Sequence, residues 1–440
     1  MTGASSRKLT ANTSQNKINQ GISLNEMPFL ILSTSSPGNA NDIIDFVVTP
    51  KTFAETNHTD IMSERTERQS NIELLRVFAA LGVVLLHYNN SSIGTGFANA
   101  LGLSANQFVL VFFESIFICT VNLFVLISGY FMKGSSKADL LKPVKLLSMY
   151  IVFELVAYLI KELPKGEPFS ISTFADYFSP SYWFIFVYIA LYILSPYLNL
   201  LWSHLDRKKQ KQLLIILIAL FSVYPIAWEI ITYASKSSVW GADSVSSFGL
   251  MQGISTIGLF GSGAGYTITN FILMYLIGCY LKCLEEDGKK FKTGKLVVLL
   301  VVNVALIIYW AYVEMFVNGG AIDGTTGWYY ESPLVISEAV LLFLIFKNMK
   351  IKKNKVTNVL AAASFPTYLI HINLLEYFNI ATFVQGNTFI LILHVIGSAI
   401  AIYLISFAIY ELYDLITKPL FKAISKKWQK KRYIDLSDQK

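Results

Sequence analysis

Two basic side chains interrupt an otherwise apolar stretch: Arg76 and His87, between Leu74 and Asn89. A charge in hydrocarbon costs several kcal/mol unless it faces protein or water, so each such group is a candidate for function. On an α-helix, eleven positions bring the two back to within ~20° of one face, ~16 Å apart along the axis. Arg stays charged and grips phosphate through a planar fork, whereas His titrates near neutrality and can take a proton from an attacking hydroxyl. The pair therefore suits a phosphate-bearing donor that enters at one depth and reacts at another. The plainer readings stay open: Arg76 reaching the headgroups or pairing with Glu73 one turn back, and His87 bonded to a neighbour as an interfacial side chain.

Other polar groups lie in apolar stretches. Glu114 is expected at about the depth of His87 and is a candidate to orient it; a carboxylate exposed in a water-filled vestibule is the alternative. His371 is expected in the outer half of its stretch, to bind an acceptor, complete the site or make a buried structural hydrogen bond. Asn122 and Ser128 can line a channel or simply hold helices together. For His394 and Glu154 the sequence offers no partner, and His58 and His204 fall in connecting or polar segments. Cys119, Cys279 and Cys283 lack the spacing of a zinc site, so neither a metal nor a disulfide is expected.

The elements that carry these residues follow from composition. With 54% hydrophobic and only 15% charged residues, the chain is too apolar for a soluble surface. A span needs roughly 20 apolar residues, and ten segments qualify, at 72–90, 106–131, 141–160, 182–203, 212–232, 266–284, 295–316, 328–347, 356–380 and 388–416. The eighth is the weakest, interrupted by Glu331, Pro333 and Glu338. The expected fold is an all-α polytopic membrane protein, a bundle of about ten transmembrane helices.

The net charge of +7 is not spread along one face, as nucleic-acid binding would require. It gathers in alternate connections: Lys133 to Lys142, Arg207 to Lys211, Lys282 to Lys295, Lys347 to Lys355, and the tail from Lys422 to Arg432. The other connections hold only Lys161, Lys165 and Lys236. By the positive-inside rule both termini are cytoplasmic and the protein sits in the cell membrane, with Arg76 near the inner boundary and His87 in the outer third. Residues 1–68 read as a disordered polar segment without a signal peptide, 69–416 as the membrane domain, and 417–440 as a basic cytoplasmic tail with no appended catalytic domain. Met62, just before Ser63 to Arg68, is a second candidate start of translation. The Gly-rich stretch Gly258 to Gly265 is a mobile gate or an ordinary loop.

Several segments share one pattern. Asn71-Ile72-Glu73-Leu74-Leu75-Arg76, continuing to Leu86-His87, resembles the first-span motif of the acyltransferase 3 family, in which an Arg precedes a His by eleven positions. Phe124-Val125-Leu126-Ile127-Ser128-Gly129-Tyr130, Tyr182-Trp183-Phe184 and Tyr368-Leu369-Ile370-His371 are similar to that family in order and spacing, over roughly residues 70–416. The resemblance implies transfer of an acyl group, usually acetyl from acetyl-CoA, to a hydroxyl of a cell-surface or exported glycan or of a lipid-linked sugar. It implies that His87 is the catalytic histidine and that Arg76 helps to hold the coenzyme. Where the family often carries Arg before Pro after its second span, this chain has Lys142, Pro143 and Lys145, which attract phosphate as point charges rather than as a fork.

The expected site is then His87, Glu114 and His371 for chemistry, with Arg76, Lys142, Lys145 and Ser128 for the donor, acetyl-CoA as acyl donor, and neither metal nor nucleic acid. A transporter or flippase of a lipid-linked glycan is the competing reading, although no Gly- or Pro-broken helix pair of the kind many transporters show is visible.

Overall fold

The structure, a computed structural model, describes residues 68–178, 182–227, 257–258, 261–262, 264–317, 325–428 and 433–437. Residues 1–67, including Met62, lie outside that set, as does most of the connection containing Lys236. Among the described residues ten helices are long and apolar enough to cross a membrane. The principal elements are α1 (Ser70–Asn89), α2 (Ala105–Phe117), α3 (Thr120–Met132), β1 (Lys137–Asp139), α4 (Leu141–Glu162), α5 (Trp183–Ser203), α6 (Arg207–Ile218), β2 (Ile257–Gly258), β3 (Gly261–Ser262), α7 (Ile268–Glu286), α8 (Thr293–Val317), α9 (Pro333–Asn348), α10 (Ser364–Leu375), α11 (Thr388–Lys427) and β4 (Tyr433–Asp435).

Three spans are irregular. The second divides into α2 and α3 at Ile118 and Cys119; the fifth passes from α6 through a π-helical turn at Ala219–Val223; the ninth enters α10 through a 3₁₀ turn at Ala361–Ala363. The eighth begins as a regular helix only at Pro333, which occupies the first turn, where its missing N–H costs nothing. The ninth span was expected to run to residue 380 but ends at Leu375, and a turn leads to the short helix Ile380–Val384. The tenth was expected to end at 416, whereas α11 continues through Pro419 to Lys427. Past it, β4 pairs antiparallel with β1, Ala138 opposite Ile434, and Lys137 meets Asp435 at 2.6 Å.

Contacts across the bundle sort its two ends. At one end Asn71 donates to the carbonyls of Phe346 and Lys347, Arg207 meets Asp287 at 3.1 Å, and Lys347 meets Glu285 at 2.9 Å. This basic end collects the lysine-rich connections. At the far end Asn89 donates to the Leu110 carbonyl and Asn106 to that of Val384.

The core is closest where α3 meets α7. A Cβ on Gly129 would lie 2.0 Å from the Tyr275 carbonyl oxygen, and one on Gly278 would lie 2.2 Å from that of Leu126. Two glycines on facing helices thus bring the backbones together, and the Cys279 thiol donates to the Gly129 carbonyl at 3.3 Å. The outer surface is apolar instead: Val298, Val301 and Leu415 are each more than half exposed. A helix bundle with such a surface is solvated by hydrocarbon.

Candidate active site

His87 lies near the far end of α1, and a carbonyl one turn back fixes its state. Its Nδ1 stands 2.9 Å from the Val83 carbonyl oxygen. A carbonyl can only accept, so Nδ1 carries the proton and Nε2 presents its lone pair. His371 on α10 repeats the arrangement, its Nδ1 donating to the carbonyls of Thr367 at 3.1 Å and Tyr368 at 2.8 Å. α10 follows directly on the 3₁₀ turn Ala361–Ala363, with Pro366 in its first turn and His371 in its second half. The two rings meet edge to face with centroids 4.5 Å apart and planes at 72°. His371 is fully buried and its Nε2 has no hydrogen-bond partner among the described residues, whereas His87 is partly exposed.

Among the described residues no hydrogen bond joins Glu114 to His87. Glu114 Oε2 accepts from Asn89 Nδ2 at 2.9 Å. Asn89 follows His87 by two residues, about 200° around the helix, so the carboxylate meets a different face of α1. Depth along a helix does not fix azimuth, and the hydrogen bond to His87 Nδ1 runs to the Val83 carbonyl.

Towards the basic end a cavity of about 640 Å³ opens between α1, α3, α4, α5 and α10. Arg76, Ser128, Lys142 and Lys145 all line it. The structure therefore brings together the four residues expected to hold the donor, although they come from three helices. Arg76 also makes the local ion pair, to Glu73 Oε1 at 2.7 Å, with its guanidinium 5.8 Å from the Phe131 ring centre. Neither Lys142 nor Lys145 has a carboxylate partner among the described residues; each holds its ammonium over an aromatic ring, Tyr192 at 5.4 Å and Phe421 at 5.2 Å. Ser128 donates to the Phe124 carbonyl at 2.9 Å and lies 3.0 Å from the Tyr188 hydroxyl. Between these polar groups and the histidines the walls are apolar, with Val121, Phe124, Phe184 and Met149 among them. The cavity reaches Val83, one turn from His87, and Tyr368, three residues from His371, and both histidines lie just past that end.

Several partners were not legible in the sequence. His394 bonds the Tyr88 hydroxyl at 2.8 Å and stacks on Phe383 with centroids 3.6 Å apart. Glu154 accepts from Asn373 at 3.4 Å, and Lys161 binds Asn373 at 2.9 Å and Glu376 at 2.8 Å. Tyr182, at the start of the fourth span, belongs to this group: its hydroxyl accepts from Asn373 Nδ2 at 3.5 Å. Asn122, considered as a channel residue, instead ties α3 to the Tyr330 carbonyl at 2.7 Å. Tyr368 is the missed cavity residue with a usable signal, since it opens the Tyr368-Leu369-Ile370-His371 motif. Among the described residues no group of three or more His, Cys, Asp or Glu is placed to hold a metal ion, and all three cysteines are free and buried.

The acyltransferase 3 family model, described as an acyltransferase domain, matches residues 69–411. No curated protein and no solved structure matches the chain.

Proposed function

Since the chain belongs to the acyltransferase 3 family, we propose that it moves an acetyl group from cytoplasmic acetyl-CoA to a hydroxyl of a cell-surface or exported polysaccharide or lipid-linked sugar. The observation that carries this reading is the single cavity with three cations at one end and, just past the other, two histidines whose Nε2 lone pairs are set by backbone carbonyls. The basic end is the cytoplasmic one in this proposal, because Lys and Arg collect there, and both termini lie on that side of the cell membrane.

The shape matches a donor with phosphates at one end and a thioester on a long thin arm. Arg76, Lys142 and Lys145 hold the phosphates, Arg76 as a fork and the lysines as point charges. The apolar wall excludes water from the arm, and ~16 Å of helix separates Arg76 from His87. At the far end His87 Nε2 takes the proton of the acceptor hydroxyl as its oxygen bonds to the thioester carbon. The tetrahedral oxyanion then collapses, the C–S bond breaks, and the thiolate leaves with the proton returned from His87. Nδ1 of His87 keeps its bond to Val83 throughout, so the ring stays in place. His371, with an unpartnered buried Nε2 beside His87, stabilises the imidazolium that forms.

Purified protein in nanodiscs would be assayed for free thiol released from acetyl-CoA. Turnover that His87→Ala abolishes and that Arg76→Ala weakens mainly through KM is the expected result. Folded protein that neither binds nor turns over any acyl-CoA would overturn the proposal.

One observation favours the alternative. The second and ninth spans are both broken near the site, at Ile118 and Cys119 and at Ala361–Ala363, without a Gly or Pro at the break. Discontinuous helices are common where transporters bind substrate. Movement of a lipid-linked glycan across vesicles, undiminished by His87→Ala, would support that reading.

A further inference from the structure

At the far end of the bundle three aromatic rings form a cluster that the transfer chemistry does not use. Trp183 opens α5, Tyr266 lies just before α7, and Tyr330 lies just before α9. Their ring centres are 4.4 Å apart for Trp183 and Tyr266, 5.0 Å for Tyr266 and Tyr330, and 6.0 Å for Trp183 and Tyr330. Tyr330 is buried and forms the floor, Trp183 is half-buried, and Tyr266 is 46% exposed. Ring contacts continue to the histidines: Trp183 to Phe184, Phe184 to Tyr368 at 5.3 Å, Tyr368 to His371 at 6.0 Å, and His371 to His87.

Tryptophan and tyrosine at a membrane boundary have an ordinary explanation in the aromatic belt. A belt needs no buried frame, and this cluster has one. The Tyr330 N–H donates to the Ala264 carbonyl at 2.9 Å, Asn122 donates to the Tyr330 carbonyl, and Asn270 donates to Gly265 O and to Asn122 Oδ1, each at 3.2 Å. Gly265 takes φ +77°, and a Cβ there would lie 2.6 Å from the Glu331 amide nitrogen. The turn carrying Tyr266 is thus pinned against the residues that carry Tyr330.

Charge narrows what such a surface accepts. The charged groups packed against this turn are acidic rather than basic: a Cβ on Gly265, next to Tyr266, would lie 2.8 Å from Glu331 Oε2. At this end Lys161 is paired with Glu376 and Lys165 with Glu162, each at 2.8 Å. An acceptor bearing its own anion finds no free cation here: among the described residues the two lysines at this end are already engaged. A neutral sugar ring instead offers a face of C–H groups, weakly positive, to the negative faces of the rings, and hydroxyls to the two phenols.

We infer that Trp183, Tyr266 and Tyr330 form the acceptor platform, which holds an uncharged sugar ring at the outer end of the ring contacts that lead to His87 and disfavours sugars that carry a carboxylate or phosphate. The inference rests on the acyltransferase reading, and its test separates the two. Nanodisc-held protein with labelled acetyl-CoA would be given p-nitrophenyl β-glucoside and β-galactoside, each beside the matching glucuronide and galacturonide. At least one neutral glycoside is expected to take label about tenfold better than its uronide. Trp183→Ala and Tyr266→Ala should raise KM for that glycoside about tenfold, with far less effect on KM for acetyl-CoA, and Trp183→Phe should recover most of the loss. Label entering a uronide as fast as its neutral partner, KM values untouched by both alanines as a mere belt would give, or thiol release with no glycoside labelled would each overturn the platform. No thiol release from any acyl-CoA by the folded protein overturns instead the acyltransferase reading on which it stands.

Discussion

His87 and His371 come from the first and ninth spans and stand edge to face with ring centroids 4.5 Å apart, both with Nδ1 held by a carbonyl of their own helix. The shared tautomer has a chemical consequence. Two neutral rings each present a lone pair, and once either Nε2 gains a proton the other becomes an acceptor for the positive charge. A lone histidine would rely on water for this, and His371 is fully buried.

Removing that neighbour tests the arrangement. His371→Ala should lower kcat about tenfold to a hundredfold, the scale of one hydrogen bond to a charged group, while KM for acetyl-CoA changes little. His371→Asn, which keeps a polar atom near the same place, should fall between. Single-turnover thiol release separates the chemical step from donor binding, and an unchanged rate for His371→Ala would reduce the residue to a packing role.

The donor end makes a different prediction. Arg76→Ala, Lys142→Ala and Lys145→Ala should each weaken acetyl-CoA binding by about 1.5–3 kcal/mol if their phosphate contacts are direct. Lys142 and Lys145 are exposed and salt screens them, so their losses should shrink as ionic strength rises. Arg76→Lys should recover only part, since it keeps the charge and loses the fork. Calorimetric titration of acetyl-CoA at two salt concentrations would measure all of this.

Glu114→Gln should leave the pH profile of transfer as it is. The amide oxygen can still accept from Asn89, and the bond that holds His87 runs to Val83. A profile displaced by a pH unit or more would restore Glu114 as the orienting group.

The bundle was largely legible in the sequence because hydrophobic length and the alternation of basic connections need no tertiary information. Arg76 and His87 sharing a face followed from helical arithmetic alone. What pairs with His87 did not, because span boundaries give depth and not the azimuth at which α10 meets α1. The bond between Glu114 and Asn89 was hidden for the same reason. The breaks at Ile118 and Cys119 and at Ala361–Ala363 carry no Gly or Pro, and Leu375 to Asn379 reads as a continuing apolar helix although it turns. Four donor-site candidates did converge, since three of them lie towards the charged end of adjacent helices and Ser128 lies one turn before Met132, a residue of the same cavity.

The α3–α7 contact gives the last prediction, one of stability. Gly129 and Gly278 each face a carbonyl of the partner helix at a distance no Cβ can occupy. Gly129→Leu must therefore push α7 away, breaking the Cys279 contact and loosening α3, which carries Ser128 and Phe131 into the cavity. Overpacking of this kind costs about 1–3 kcal/mol, and more where backbone must move. Gly397→Ala is the control: nothing lies within 4 Å of its would-be Cβ in the middle of α11, so replacing a helical glycine there should be neutral or stabilise by up to ~1 kcal/mol. Thermal unfolding in detergent should then show a lowered midpoint for Gly129→Leu and an equal or raised one for Gly397→Ala. Equal midpoints for Gly129→Leu and the unsubstituted protein would mean that the two helices are not held by this contact.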